Sequence, residues 1–196
     1  ARDGYLTQII EKPEAAPSFT VSTGIFSLDR TVFPHMDDPD LTSAIASMVR
    51  SGTRFRVVPA TDWQDAIYPW DINTLNGRLL PSVKRELAGR VSRETAIRGA
   101  VRCGEGTTIE PFTTITGPVI IGKDTVIGPH TCILPGTSIG SGVTIGPFSV
   151  IGNAVIMDRV TIGASSHISD AVIGEGCGIG DHTAVVSGNS PLRFGG

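Results

Sequence analysis

Few residues of this 196-residue chain are of types that do chemistry, and they are scattered. Its 4 histidines include His130, His167 and His182, and its 3 cysteines are Cys103, Cys132 and Cys177. The cysteines are far apart, with no Cys-x-x-Cys pair. They read as reduced intracellular thiols, so neither a disulfide scaffold nor a zinc site is indicated. The histidines lie in a repeat, described next, that sets their spacing. His130 and His182 are three turns of it apart, about 14 Å at about 4.8 Å per turn, and His167 is about 10 Å from His130. Metal–nitrogen bonds of about 2.0–2.1 Å cannot bridge such gaps, so one chain builds no three-histidine site here. Gly52-Thr53-Arg54 looks like a phosphate-cradling turn, but it follows a predicted helix and precedes a predicted strand. A phosphate loop needs the opposite order, a strand and then a helix N-terminus.

The element that must position the histidines is legible as an internal repeat. From Val91 an aliphatic residue recurs every six positions, through Ile97, Cys103 and Ile109 to Ile151 and Met157. After a five-residue step the column resumes at Ile162 and Ile168, and after another it runs through Ile173, Ile179 and Val185. Four residues after each member stands a small or β-branched residue, such as Thr107, Thr113, Val119, Val155 and Thr161. A branched residue at every sixth position fills the interior of a triangular coil, and the small one lets the next side close in. Glycine near each corner relieves turns that need positive φ or a close backbone approach. A helix would show spacings of three and four instead. The fold expected for residues 91–196 is therefore a parallel β-helix of hexapeptide repeats with five to six coils, left-handed by resemblance to families with this repeat.

One corner of these coils carries Phe112, His130, Phe148, Ser165 and His182. Bulky residues in such a column are read as an interface, with a second subunit or with the first domain, or else as an exposed stacking ladder. The residues before the repeat are mixed α/β. Predicted strands are Tyr5–Ile10, Thr20–Leu28 and Arg54–Val58, predicted helices Asp40–Val49 and Asp71–Leu80, and residues 81–90 form a charged connector. Glycine marks the same division, since only 4 of the 24 precede residue 81. Composition excludes several classes. With 40% hydrophobic residues and a net charge of −3, the chain is not disordered. No basic cluster points to nucleic acid or to an anionic membrane. No run approaches the roughly 18 apolar residues of a membrane span, and no signal peptide opens the chain. A cytoplasmic location is expected.

The order of the pieces in residues 1–80 resembles the sugar-1-phosphate nucleotidylyltransferases that carry a C-terminal hexapeptide β-helix. The matching residues are Asp3-Gly4-Tyr5-Leu6 before Glu11-Lys12-Pro13, then Thr23-Gly24-Ile25-Phe26, Trp63-Gln64-Asp65, and Trp70-Asp71-Ile72 with Asn76. Val155-Ile156-Met157-Asp158 and Asp170-Ala171-Val172-Ile173-Gly174-Glu175 look like the tail of these enzymes. The resemblance implies that residues 1–80 are the C-terminal part of a Rossmann-like nucleotidyltransferase domain. By the same resemblance Glu11 binds sugar hydroxyls, Lys12 the sugar phosphate, Thr23 and Gly24 line the sugar pocket, and Asp65 is one of two carboxylates for Mg²⁺. The substrates implied are a sugar 1-phosphate and a nucleoside triphosphate, and the implied assembly is a homo-oligomer, a trimer or its multiples. Two anions meet in such a reaction, so a lysine point charge and Mg²⁺ suit it.

The chain also departs from the family pattern. The family's glycine-rich nucleotide loop does not occur in it, so the chain reads as a C-terminal piece that is inactive alone. Bifunctional members use the β-helix for acetyl transfer from acetyl-CoA to an amino sugar. Here the corresponding stretch, Ser166-His167-Ile168-Ser169-Asp170-Ala171, lacks the family's tyrosine, and His167 is a general-base candidate only under that alternative. The third reading makes the β-helix a non-catalytic oligomerisation module.

Overall fold

The computed structural model describes residues 1–15, 18, 20–36 and 40–187. Its contacts divide the chain into two compact units, Ala1–Asp65 and Ala66–Gly196. The sequence suggests a boundary at residue 80. The structure instead groups the helix before that point with the β-helix, for a reason given below. Residues 188–196 of the expected repeat lie outside the described residues.

The second unit is a parallel β-helix of six coils, the left-handed hexapeptide class. Three six-stranded parallel sheets form its sides. The first side runs Glu86–Leu87, Val101–Cys103, Val119–Ile121, Thr137–Ile139, Val155–Ile156 and Val172–Ile173. The second runs from Arg90–Val91 through Thr144–Ile145 to Gly178–Ile179, and the third from Ala96–Arg98 through Val150–Gly152 to Ala184–Val186. Isoleucines stack inside in register, as in Ile109, Ile127, Ile145 and Ile162 or Ile115, Ile133, Ile151 and Ile168. All eight are buried, and full burial of one such side chain contributes roughly 1.5–3 kcal/mol.

Three details differ from the periodicity. The first coil begins inside the expected connector, because Glu86–Leu87 pairs with Arg102–Cys103. The interior residue after Ile151 is Ile156, not Met157: Ile156 is buried and in register with Ile139 and Ile173. The short step therefore falls at Ile151–Ile156, where Asn153 turns the corner with φ 43°. Accordingly Ala154 and Val160, both buried, fill the small column where the spacing places Val155 and Thr161.

The small column does more than save space. Thr107, Thr113, Thr125, Thr131, Ser149 and Ser166 are buried polar residues, and their hydroxyls join coils. Thr107 Oγ1 donates to Gly122 O at 2.6 Å, Thr125 Oγ1 to Gly140 O at 2.9 Å and Ser166 Oγ to Gly180 O at 3.0 Å. The oxygens of Thr107 and Thr125 also accept backbone N–H groups from the next coil, Thr125 N at 3.3 Å and Val143 N at 3.2 Å. Each of these buried hydroxyls thus has a hydrogen-bond partner.

Helix α2 (Pro69–Leu79) belongs to this unit. Asp71 fixes its start by accepting from Ile67 N and Tyr68 N at 3.0 and 2.8 Å. Its asparagines dock it on the first side: Asn73 Nδ2 donates to Asn153 O and Asn76 Nδ2 to Gly136 O, both at 2.8 Å, while Ser138 donates to Asn76 Oδ1. Of the Trp70-Asp71-Ile72 pattern with Asn76, Asp71 therefore caps the helix and Asn76 joins it to the solenoid.

The first unit holds α1 (Leu41–Arg50) and a 3₁₀ turn, Arg30–His35. Its core joins Val32, Ala44 and Met48 with Leu28, Leu41 and Phe55. None of the three expected strands is continuous here. Tyr5 bridges Arg56 antiparallel, with Leu6 N donating to Phe55 O at 2.9 Å and Val57 N to Gly4 O at 2.8 Å. The first and third segments therefore lie side by side at one point. Thr20–Leu28 forms no strand, and Val21 and Ile25 on it are 72% and 80% exposed. A strand is stabilised by its ladder partners, and this segment has none among the described residues.

Candidate functional site

The site residues implied by resemblance lie in the first unit, and one of them, Glu11, meets the start of α1. Asp40 caps this helix, its carboxylate accepting from Thr42 N and Ser43 N at 3.0 Å each. The Ser43 hydroxyl, followed by the Thr42 N–H, holds the Asp40 carboxyl below its ordinary range. Thr42 then reaches the predicted site: its hydroxyl donates to Glu11 Oε2 at 3.3 Å. The Glu11 carboxylate thus lies at a helix N-terminus, where negative charge is favoured. Motif reading misses Thr42, although its position after a helix-capping Asp is a legible signal.

Lys12 Nζ is 3.9 Å from Glu11 Oε1, and the lysine side chain is 91% exposed. The Lys12 backbone has φ 40°. That is unusual twice over, because a non-glycine residue rarely sits there and because the residue before a proline is pushed towards extended conformations.

Thr23 is half-buried and Gly24 exposed. Gly24 has φ +74°, and a Cβ added to it would meet nothing within 4 Å, so the backbone conformation rather than crowding calls for glycine. Gly24 also borders an open depression of about 560 Å³ with Phe26, Leu28, Arg30, Val32 and Leu41. Motif reading misses Arg30 and this apolar lining as well. Asp29, which also borders it, caps the 3₁₀ turn, and the Thr31 hydroxyl and then the Thr31 N–H hold its carboxyl below the ordinary range.

Asp65 is exposed at the end of the first unit. Among the described residues no group of three or more His, Cys, Asp or Glu could hold a metal ion. Asp65 thus offers one carboxylate and no cradle of its own. Mg²⁺ accepts one or two carboxylates when substrate phosphates supply other ligands, so this residue suits a ternary arrangement only.

In the β-helix, His167 is exposed on the third side, in register between Val150 and Ala184. His130 is stacked between Phe112 and Phe148, with ring centroids 5.0 Å apart on both sides and planes 15° and 5° apart. His182 stands beyond Ser165 in the same column, and all five residues have φ between 55° and 62°.

A family model described as the GMPPB C-terminal domain matches residues 115–190. The bifunctional protein GlmU of Methanococcus maripaludis (strain C7) is 38% identical over 202 residues, which cover 98% of this chain and 48% of that protein. The bifunctional sugar-1-phosphate nucleotidylyltransferase/acetyltransferase of Sulfurisphaera tokodaii is 32% identical over 199 residues, 96% of this chain and 48% of that protein. Among solved structures, a perosamine N-acetyltransferase from Caulobacter crescentus aligns over 62% of this chain and 63% of its own at 19% identity, with a TM-score of 0.27. The chain spans about half the length of the curated relatives it matches. Over nearly its whole length, this chain is a relative of the sugar-1-phosphate nucleotidylyltransferases that carry a hexapeptide β-helix.

Proposed function

We propose that this chain supplies the sugar-phosphate-binding residues and the β-helix of a sugar-1-phosphate nucleotidylyltransferase. In that reaction a sugar 1-phosphate attacks the α-phosphorus of a nucleoside triphosphate and pyrophosphate leaves. Glu11 accepts hydrogen bonds from sugar hydroxyls, Lys12 screens the sugar phosphate as a point charge, and Thr23 and Gly24 border the sugar. Asp65 contributes one carboxylate towards Mg²⁺, which when bound with the substrate phosphates neutralises charge during the transfer. The β-helix serves a homo-oligomer in the cytoplasm.

The observation that carries this reading is Lys12 itself. Its ammonium is exposed beside a carboxylate that Thr42 holds, on a backbone in the left-handed region just before a proline. Backbone strain of about 1–3 kcal/mol is retained where the surroundings fix it, and such positions cluster at ligand clamps. The 196 residues do not include the family's glycine-rich nucleotide loop, so the chain alone binds the sugar phosphate without turning it over.

Calorimetric titration with a hexose 1-phosphate, and with the free hexose as control, tests this. Binding that needs the phosphate and falls at least tenfold in Lys12→Ala supports the proposal. Equal affinity of the wild type and Lys12→Ala, or pyrophosphate release by this chain alone with triphosphate and Mg²⁺, overturns it.

A further inference from the structure

Asn76 is followed by Gly77, and no other asparagine of the chain precedes a glycine. Such a pair carries a latent reaction. The backbone nitrogen of the glycine can attack the side-chain Cγ of the asparagine, because no Cβ on the glycine obstructs the approach. In α2 the geometry holds this reaction off. Gly77 lies within the helix, where its N–H is turned towards the carbonyl four residues back and away from Asn76 Cγ. The amide itself is pinned at both ends: Nδ2 donates to Gly136 O at 2.8 Å, and Oδ1 accepts from the Ser138 hydroxyl.

Protection therefore lasts as long as the helix stays on the solenoid, and its seat is slight. No side chain of α2 is buried. The other asparagine contact is incompletely satisfied: Asn73 Nδ2 reaches Asn153 O, but Asn73 Oδ1 is buried without a hydrogen-bond partner, a state that costs energy. An element with few buried apolar contacts is among the first to open. The space around Gly77 is free as well, since a Cβ added there would meet nothing within 4 Å.

We infer that Asn76 is a site of spontaneous deamidation and that α2 is the element it releases. When the helix undocks, the Gly77 nitrogen bonds to Asn76 Cγ and its proton passes, by way of water, to the departing amide. The Cγ–Nδ2 bond breaks and ammonia leaves. Water then opens the cyclic imide to aspartate or isoaspartate, so one water is consumed and one ammonia released. Neither product fits the old seat. Aspartate sets a carboxylate oxygen where the donor stood, so that it faces Gly136 O with two acceptors and no proton between them. Isoaspartate routes the main chain through the side-chain carbon, and the added backbone atom breaks the helical register. Either way the undocked state becomes permanent. This modification is independent of the reaction the chain serves.

Peptide mapping by mass spectrometry tests this on the full chain, kept folded at mildly alkaline pH or unfolded in guanidinium. Deamidation at Asn76 should be at least tenfold slower in the folded wild type than in the unfolded chain. It should be several-fold faster in folded Ser138→Ala than in folded wild type. Equal rates in the folded and unfolded wild type overturn the inference, and so does an unchanged rate in Ser138→Ala. Hydrogen exchange of Asn76→Asp provides the second arm: at least tenfold faster exchange within Pro69–Leu79, with the coils from Thr108 onward as in the wild type, supports the release. Exchange within α2 equal to that of the wild type overturns it. Gly77→Ala, which the free space accommodates, should keep its Asn76 amide and its docked helix through the same incubation. Deamidation of Gly77→Ala at the wild-type rate overturns the assigned reaction.

Discussion

The Thr125 hydroxyl donates to Gly140 O at 2.9 Å and, through the same oxygen, accepts from Val143 N at 3.2 Å. One small side chain therefore satisfies two backbone groups of the following coil. This explains why threonine and serine, rather than alanine, occupy so much of the buried small column. Hydroxyls there are structural groups that tie successive coils together.

Replacing Thr125 by valine keeps the volume and removes both bonds. Two buried backbone groups lose a partner, at a cost of about 1–3 kcal/mol. Chemical denaturation should show a lower midpoint with an unchanged slope, because the surface exposed on unfolding is the same.

Gly122 makes the opposite point, since here absence of a side chain is what matters. A Cβ at this position would stand 2.5 Å from Gly140 C and 2.6 Å from Ser141 N, both backbone atoms of the next coil. Neither can move without disturbing the stack. Gly122→Ala should destabilise by about 1–3 kcal/mol, the usual range for overpacking. Gly176→Ala is a comparison without crowding, because nothing lies within 4 Å there and only its φ of +69° opposes a side chain. Thermal melts of the two variants separate close approach from backbone conformation.

Asn76 bonds to Gly136 O and receives the Ser138 hydroxyl. Asn76→Leu should leave both of those groups short of a partner and loosen α2, at a cost of about 1–3 kcal/mol. Limited proteolysis should then cut faster within Pro69–Leu79, while hydrogen exchange of the coils from Thr108 onward stays as in the wild type. Equal cutting rates would show that the asparagine does not hold the helix.

The Asp40 carboxyl is held below its ordinary value of 3.8, first by the Ser43 hydroxyl and then by the Thr42 N–H. A depressed carboxyl stabilises the fold fully above the unfolded value, and that contribution fades as pH falls through the lower folded one. The start of α1 should therefore open below about pH 4. Amide exchange of Ala44 and Ile45 read against pH checks this, and Asp40→Ala should abolish the dependence.

Much of this protein is readable in the order of its residues alone. The six-residue spacing of isoleucine determined the β-helix, because an interior that repeats every side demands a branched residue at every side. Asp40 and the apolar spacing after it determined α1, and the order of short motifs determined the kinship with sugar-1-phosphate nucleotidylyltransferases. Tertiary structure decided what spacing could not. Whether the short step fell before Ile156 or after Met157 depended on register with Ile139 and Ile173, since both choices fit the string and only one fills the core. Whether α2 went with the first unit or the second was decided by two asparagines bonding to carbonyls 60 and 80 residues away. The expected strands Tyr5–Ile10, Thr20–Leu28 and Arg54–Val58 read as strands because their residue types are right. A strand, however, is a property of a pair of segments, and only a partner across the ladder makes one.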